Sequence, residues 1–215
     1  MKNDFYYQKW EKFLRRVKSF RFVPFVEFVL AAGSLATGKV REGSDFDVIV
    51  GVRQGRIFIA RFFAVVVFKI FGYHRRGMDH KDDVSDKICL NHFVTKKRYK
   101  LNPPYTGTWT ELYQSLVPVM GDENKISQFF EANDWMKPRR IYKRDERYIE
   151  RDNSLVKSFL EWILGGKLGD LLERLKFIQI YQIKRGLDKT LGYKGRVFWS
   201  DDELEFHPDR SKFEQ

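Results

Sequence analysis

Apolar side chains at Phe5, Trp10, Phe13, Leu14 and Val17 recur at helical spacing among lysines and arginines, which predicts an amphipathic helix over 5–20, limited by Pro24. The period then changes. "FVEFVLAAG" is a nearly continuous apolar run and predicts a strand over 25–32, ending at the small pair Gly33-Ser34. A loop with Gly38 and Gly43 leads to a second strand through 46–52, and Gly51 and Gly55 bracket the next turn. The segment 56–72 is apolar on all sides, so its pattern fits helix or strand. Its length favours a helix buried against a sheet. "HRRGMDHKDDVSD" (74–86) is polar and predicts a loop, and "KICLNHFVT" (87–95) predicts a third strand.

Farther along, "LNPPYTGT" is extended or turned, because its two prolines exclude helix. Thr108 or Thr110 can cap a short helix that reaches Val117 and is ended by Pro118. "DENKISQFFEANDWM" predicts a helix over 122–133. The charged run "KPRRIYKRDERYIERD" then marks a boundary near 137–152. It divides the chain into 1–138 and a helical C-terminal region, 139–215. Helices are expected there over 152–164 and 169–185, interrupted at Gly165-Gly166, before a tail with one short apolar piece. No fixed-period repeat or low-complexity segment is present.

Composition narrows this picture. With 215 residues, 43% of them hydrophobic and 16% aromatic, the chain can build a real core. Cys89 is the sole cysteine, which excludes an internal disulfide and a cysteine-based zinc site and fits a reducing, cytoplasmic setting. The N-terminal 20 residues carry charges throughout and lack the apolar core of a signal peptide. The most lipid-like stretch, 57–71, is too short to span a bilayer and contains Arg61 and Lys69; it reads as a buried element, and no membrane partner is expected. The net charge of +11 suits an anionic partner such as nucleic acid or a nucleotide, or else a solubilising surface.

Two aspartates break the second strand. Asp45 and Asp47 lie two residues apart, so they project to one face, where like charges call for a wet strand end or a cation. Such a pair suits a hard divalent cation, and Mg²⁺ commonly takes one or two carboxylates, several waters and nucleotide phosphates. Gly33-Ser34, after a strand and opening a helix, can offer backbone N–H groups and a hydroxyl to phosphate.

Gly33-Ser34, ten intervening residues, then Asp45-Phe46-Asp47 resembles the GS-x10-DxD signature of the DNA polymerase beta-like nucleotidyltransferase superfamily. The stretches "GRIFIARFFAVVVFKIFGYHRRG", "DKICLNHFV" and "LVPVMGDENKISQFFEANDWM" extend the resemblance to a small bacterial branch, over about residues 22–138. The resemblance implies an α+β fold, a short mixed β-sheet with helices on one face, followed here by the helical C-terminal region. It implies a Mg²⁺-dependent transferase that moves a nucleoside monophosphate from an NTP, such as ATP, to a hydroxyl acceptor. Gly33 and Ser34 would hold phosphate, Asp45 and Asp47 would bind metal and carry catalysis, and the loop residue Lys39 would bind substrate.

The superfamily also supplies a third carboxylate from a later strand. In "KICLNHFVT" the matching place holds Cys89, with Asn91 on the same face, while Asp86 sits at the strand entrance with opposite parity. The third metal ligand is therefore Asp86 or is absent, with Asp79, Asp82 and Asp83 as weaker substitutes. The alternative function is a catalytically impaired relative that binds nucleic acid or a protein partner, including an antitoxin-like role. Cys89 reads as a small buried residue rather than a nucleophile. His74, His80, His92 and His207 show no paired ligand spacing. Arg75 and Arg76 are candidates to neutralise charge near a triphosphate, the clusters 96–98, 139–140, 143–144 and 184–185 read mainly as solvated surface, and Trp135, Tyr142 and Tyr148 read mainly as packing aromatics.

Overall fold

A computed structural model describes residues 2–75, 84–103, 106–136, 147–150, 154–188 and 196–207. Arg76, Asp79, His80, Asp82, Asp83, the 139–140 and 143–144 clusters and Tyr142 lie outside the described residues, as do the side chain of His207 and most of the expected boundary. The chain is α+β, built on a six-stranded mixed sheet in the order β4-β1-β2-β3-β6-β5. In chain order the elements are α1 (Lys2–Val17) with a following 3₁₀ turn (Lys18–Phe22), β1 (Val26–Ala31), α2 (Gly33–Ala36), β2 (Phe46–Val52) and α3 (Ile57–Ile70). There follow β3 (Ile88–Val94), α4 (Gly107–Gln114), β4 (Val117–Gly121) and α5 (Glu123–Ala132). The C-terminal part adds α6 (Leu155–Leu164), α7 (Lys167–Arg174), α8 (Lys176–Asp188), β5 (Arg196–Trp199) and β6 (Glu203–His207).

Strand alternation builds two cores. Even-numbered positions of β2 (Phe46, Val48, Val50) meet Phe13 and Val17 of α1 and Phe58, Ala64 and Phe68 of α3 on one face. Ile49, with Phe28 and Leu30 of β1, faces the other way and meets Tyr113 of α4 and Ile126 and Phe129 of α5. Helices thus cover both faces, not one: the alternation leaves apolar side chains on each face of β1, and α4 and α5 bury the second set. The segment 56–72 holds a helix, Ile57–Ile70, that packs on the sheet and against α7 and α8, with Phe62 and Ile70 left exposed.

Three expectations change. The helix of the 108–117 region ends at Gln114, and Val117–Gly121 is a strand. Pro118 is tolerated there because β4 is the sheet edge, where a missing N–H leaves no ladder partner unserved. The expected 169–185 helix is two helices, separated at Leu175. The C-terminal region is not only helical: β6 pairs with β3 and β5 with β6, so the region completes the same sheet. Within it Glu203 and Glu205 are fully buried, with Glu203 held by His92 and by two bonds from Asn102. Among the described residues, no helix is long and apolar enough to cross a membrane.

Candidate acidic site at the end of the second strand

The end of β1 and the start of β2 are tied together by backbone: Ala32 donates to the Asp47 carbonyl at 3.0 Å. The chain then turns at Gly33, whose φ of +64° lies in the left-handed region. Here glycine is required for a second reason. A Cβ on Gly33 would stand 2.0 Å from Asp47 Oδ2, so the carboxylate occupies the space a side chain would fill. The Gly-Ser and Asp-x-Asp halves of the pattern are therefore in direct contact. Ser34 opens α2 half-buried, and Thr37 Oγ1 donates to the Gly33 and Ser34 carbonyls, both at 3.2 Å.

Asp45 and Asp47 are half-buried at the strand end. In the parallel β2–β3 ladder Asp47 is in register with Cys89, the place at which the sequence lacks an acid. Ligand atoms of Asp45, Asp47 and Cys89 lie within 4.8 Å of one another. Asn91 Nδ2 reaches Asp47 Oδ1 at 3.5 Å, and the register of β3 against β2 shifts between the pairs Asp47–Cys89 and Ile49–His92.

Arg75 enters this cluster from the segment before β3. Its NH1 donates to Asp45 Oδ2 at 2.5 Å and lies 3.7 Å from Cys89 Sγ. Burial opposes its charge, but Cys89, Asp45 and Asp47 together outweigh burial and hold the guanidinium above its ordinary pKa. Cys89 moves the other way in its chemistry: burial first, then the charges of Asp47 and Asp45, push the thiol well above its ordinary value. Cys89 is a neutral thiol at pH 7, a poor ligand for a hard cation and no base for a hydroxyl proton.

Asp86 is not part of the cluster. Its Oδ1 accepts from Lys9 at 2.6 Å and its Oδ2 from Lys12 at 3.0 Å, and its carbonyl accepts from Arg16, all from α1. Burial disfavours the charge, yet the bonds and charges of Lys9 and Lys12 prevail and lower its pKa. Asp86 thus anchors the first helix instead of supplying a third metal ligand. Lys39 is also elsewhere: it is exposed and pairs with Glu111 of α4 at 2.7 Å. A slot beside Asp47 is walled by Gly33, Asn91, Trp109, Tyr113 and Leu116. The sequence reading passed over Trp109 and Tyr113; their i, i+4 spacing on a short helix was the available signal.

The two carboxylates, with ligand oxygens within 4.8 Å of each other at a strand end, are the donor type a divalent cation of the magnesium type takes. The chain matches no protein-family model, no curated protein and no solved structure.

Proposed function

We propose that the chain is a nucleotidyltransferase-fold protein, a Mg²⁺-dependent enzyme that transfers a nucleoside monophosphate from an NTP to a hydroxyl acceptor. The reading rests on one observation above the others: Asp47 fills the missing side-chain volume of Gly33, which puts a phosphate-suited turn against a carboxylate pair. Magnesium, when bound, would screen the phosphates and polarise the α-phosphoryl group. Asp45 and Asp47 would hold it, with the backbone at Gly33 and Ser34 facing phosphate oxygens. Arg75, already paired with Asp45, would supply positive charge to the phosphates and the departing pyrophosphate. In the transfer, the acceptor oxygen bonds to the α-phosphorus as the bond to the bridging oxygen of pyrophosphate breaks, and the acceptor proton passes to solvent.

A second reading has its own observation. Cys89 is a neutral thiol in the register position beside Asp47, and Asp86 is committed to α1, which favours a catalytically impaired member that binds nucleotide, nucleic acid or a protein partner. Calorimetric binding of Mg-ATP and Mg-GTP, with transfer assayed on labelled NTP, separates the two using the wild type and Asp47→Asn. Magnesium-dependent binding and transfer, both lost in the variant, support the enzyme. Binding that is lost in the variant, without transfer in the wild type, supports the impaired reading. Nucleotide binding indifferent to Mg²⁺ and to Asp47 refutes both uses of the site.

A further inference from the structure

In the lipid-like stretch 57–71, Phe62, Ile70 and Phe71 are exposed, and the most extended run of exposed apolar side chains among the described residues lies on α6, α7 and α8, three successive helices of which α7 touches both others. On α6, Leu155, Phe159 and Trp162 form an i, i+4, i+7 stripe, with Leu155 and Trp162 89% and 79% exposed. Leu168, Leu171 and Leu175 continue it along α7 and its end, and Phe177, Ile178 and Tyr181 along α8. These helices cannot simply roll the stripe inward, because their polar groups already hold the core side. Glu161 accepts from the Phe25 N–H at 2.7 Å. Glu173 caps α3 by accepting from the Phe58 and Ile59 N–H groups at 2.8 and 3.0 Å. Asp170 pairs with Arg56 at 2.8 Å, and Arg56 in turn donates to the Leu164 and Gly165 carbonyls, both at 2.9 Å.

Among the described side chains of α6–α8, the acids Glu161, Asp170 and Glu173 and the cations Lys157 and Lys176 are engaged with the rest of the fold, while Lys167, Arg174, Lys184 and Arg185 are exposed, Lys184 beside the Trp199 ring. Helices that turn leucine, phenylalanine, tryptophan and lysine or arginine outward have the composition of interfacial helices lying in the headgroup region of a bilayer. A second copy would bring these cations against their own kind in a chain of charge +11, whereas an anionic lipid surface complements them. RNA would meet the cations and leave the aliphatic leucines unused. We infer that the outer face of α6–α8 is a docking surface for an anionic membrane, occupied by the protein lying on the bilayer and not crossing it.

Vesicle cosedimentation of the full chain tests this, comparing phosphatidylcholine alone with phosphatidylcholine containing roughly 30% phosphatidylserine. The chain is expected to bind the anionic vesicles, to bind neutral ones weakly, and to be released progressively by salt. Neutralising Lys184→Gln together with Arg185→Gln should weaken binding roughly thirtyfold. Phe159→Ser with Trp162→Ser should weaken it to a similar extent while leaving the melting temperature unchanged, since both side chains are exposed. Absence of binding to anionic vesicles at low salt overturns the inference. So does binding that the Phe159/Trp162 variant leaves intact, which is surface electrostatics only. A concentration-dependent dimer abolished by that variant, without vesicle binding, would reassign the face to a second copy.

Discussion

Replacing Gly33 by alanine tests the contact that joins the two halves of the site. The new Cβ would stand 2.0 Å from Asp47 Oδ2, 2.8 Å from Cγ and 3.0 Å from Cβ, so the whole Asp47 side chain must move and not merely its tip. The φ of +64° adds strain of roughly 1–2 kcal/mol for a residue with a Cβ. Displacing a packed neighbour costs roughly 1–3 kcal/mol. Together these give a loss of roughly 2–5 kcal/mol, or roughly 4–20 °C in melting temperature for a chain of this size. Gly43→Ala, in the loop between α2 and β2, is the matched control: its added Cβ meets nothing within 4 Å and its backbone is not left-handed. That variant should melt like the wild type or up to about 1 kcal/mol more stably. Thermal unfolding by circular dichroism reads the first effect. Calorimetric titration with Mg-ATP reads the second, where a carboxylate displaced by more than roughly 0.5 Å should lower affinity at least tenfold. If Gly33→Ala melts with Gly43→Ala and binds Mg-ATP like the wild type, the contact between Gly33 and Asp47 does not organise the site.

Arg75→Met removes a charged hydrogen bond and leaves two neighbouring carboxylates without that cation, so stability in magnesium-free buffer should fall by roughly 1.5–3 kcal/mol. Millimolar Mg²⁺ should restore most of this in urea unfolding; a loss that Mg²⁺ does not touch would show that the acid pair takes no cation. Lys9→Met breaks a nearly buried ion pair with Asp86 and should cost roughly 3 kcal/mol at pH 7. Because the folded pKa of Asp86 is lowered, its stabilisation is present above its unfolded value of about 3.9 and is lost as pH falls through the folded value. Urea midpoints of wild type and Lys9→Met should therefore converge below that range, and a gap unchanged between pH 7 and pH 2 would contradict the assignment. Cys89 should resist alkylation at pH 8 in the folded chain and react only after denaturant is added, as a buried thiol beside two carboxylates must. Rapid native labelling would place the thiol in a different environment.

The strands β1, β2 and β3 and the helix α3 were legible because period and length agree there: a short apolar run bounded by turn or polar residues for each strand, and a stretch too long for a strand in α3. The same-face placement of Asp45 and Asp47 followed from the two-residue strand repeat, whereas the alignment of Cys89 with them was expected only from the family resemblance. Long-range partners were less legible. Nothing in "SDKICL" announces that Asp86 is claimed by Lys9 and Lys12, 77 and 74 residues earlier in the chain. Strand β6 was hidden because Glu203 and Glu205 look solvent-facing until His92 and Asn102 are placed beside them. Strand β4 was hidden by Pro118, whose meaning depends on whether the strand is an edge, a property of the assembled sheet.

Charge balance around Asp47 accounts for a thiol at position 89. Two carboxylates and one guanidinium leave the bare cluster with a single net negative charge, at a strand end where both acids are only half-buried. A carboxylate at 89 would lie in register with Asp47 and beside Arg75, setting three anions against one cation without water on every side. The neutral thiol avoids that repulsion and lets Arg75 bind Asp45 closely. On the nucleotidyltransferase reading the same substitution has a consequence for the metal. A third carboxylate is most useful when two divalent ions must be held at once, whereas Asp45 and Asp47 with nucleotide phosphates suffice for one. One Mg²⁺ held there would, together with Arg75, turn the net charge of the cluster from negative to positive. On that reading Arg75, a fixed cation supplied by the chain beside Asp45, would stand in part for the second ion that a third carboxylate would help to hold.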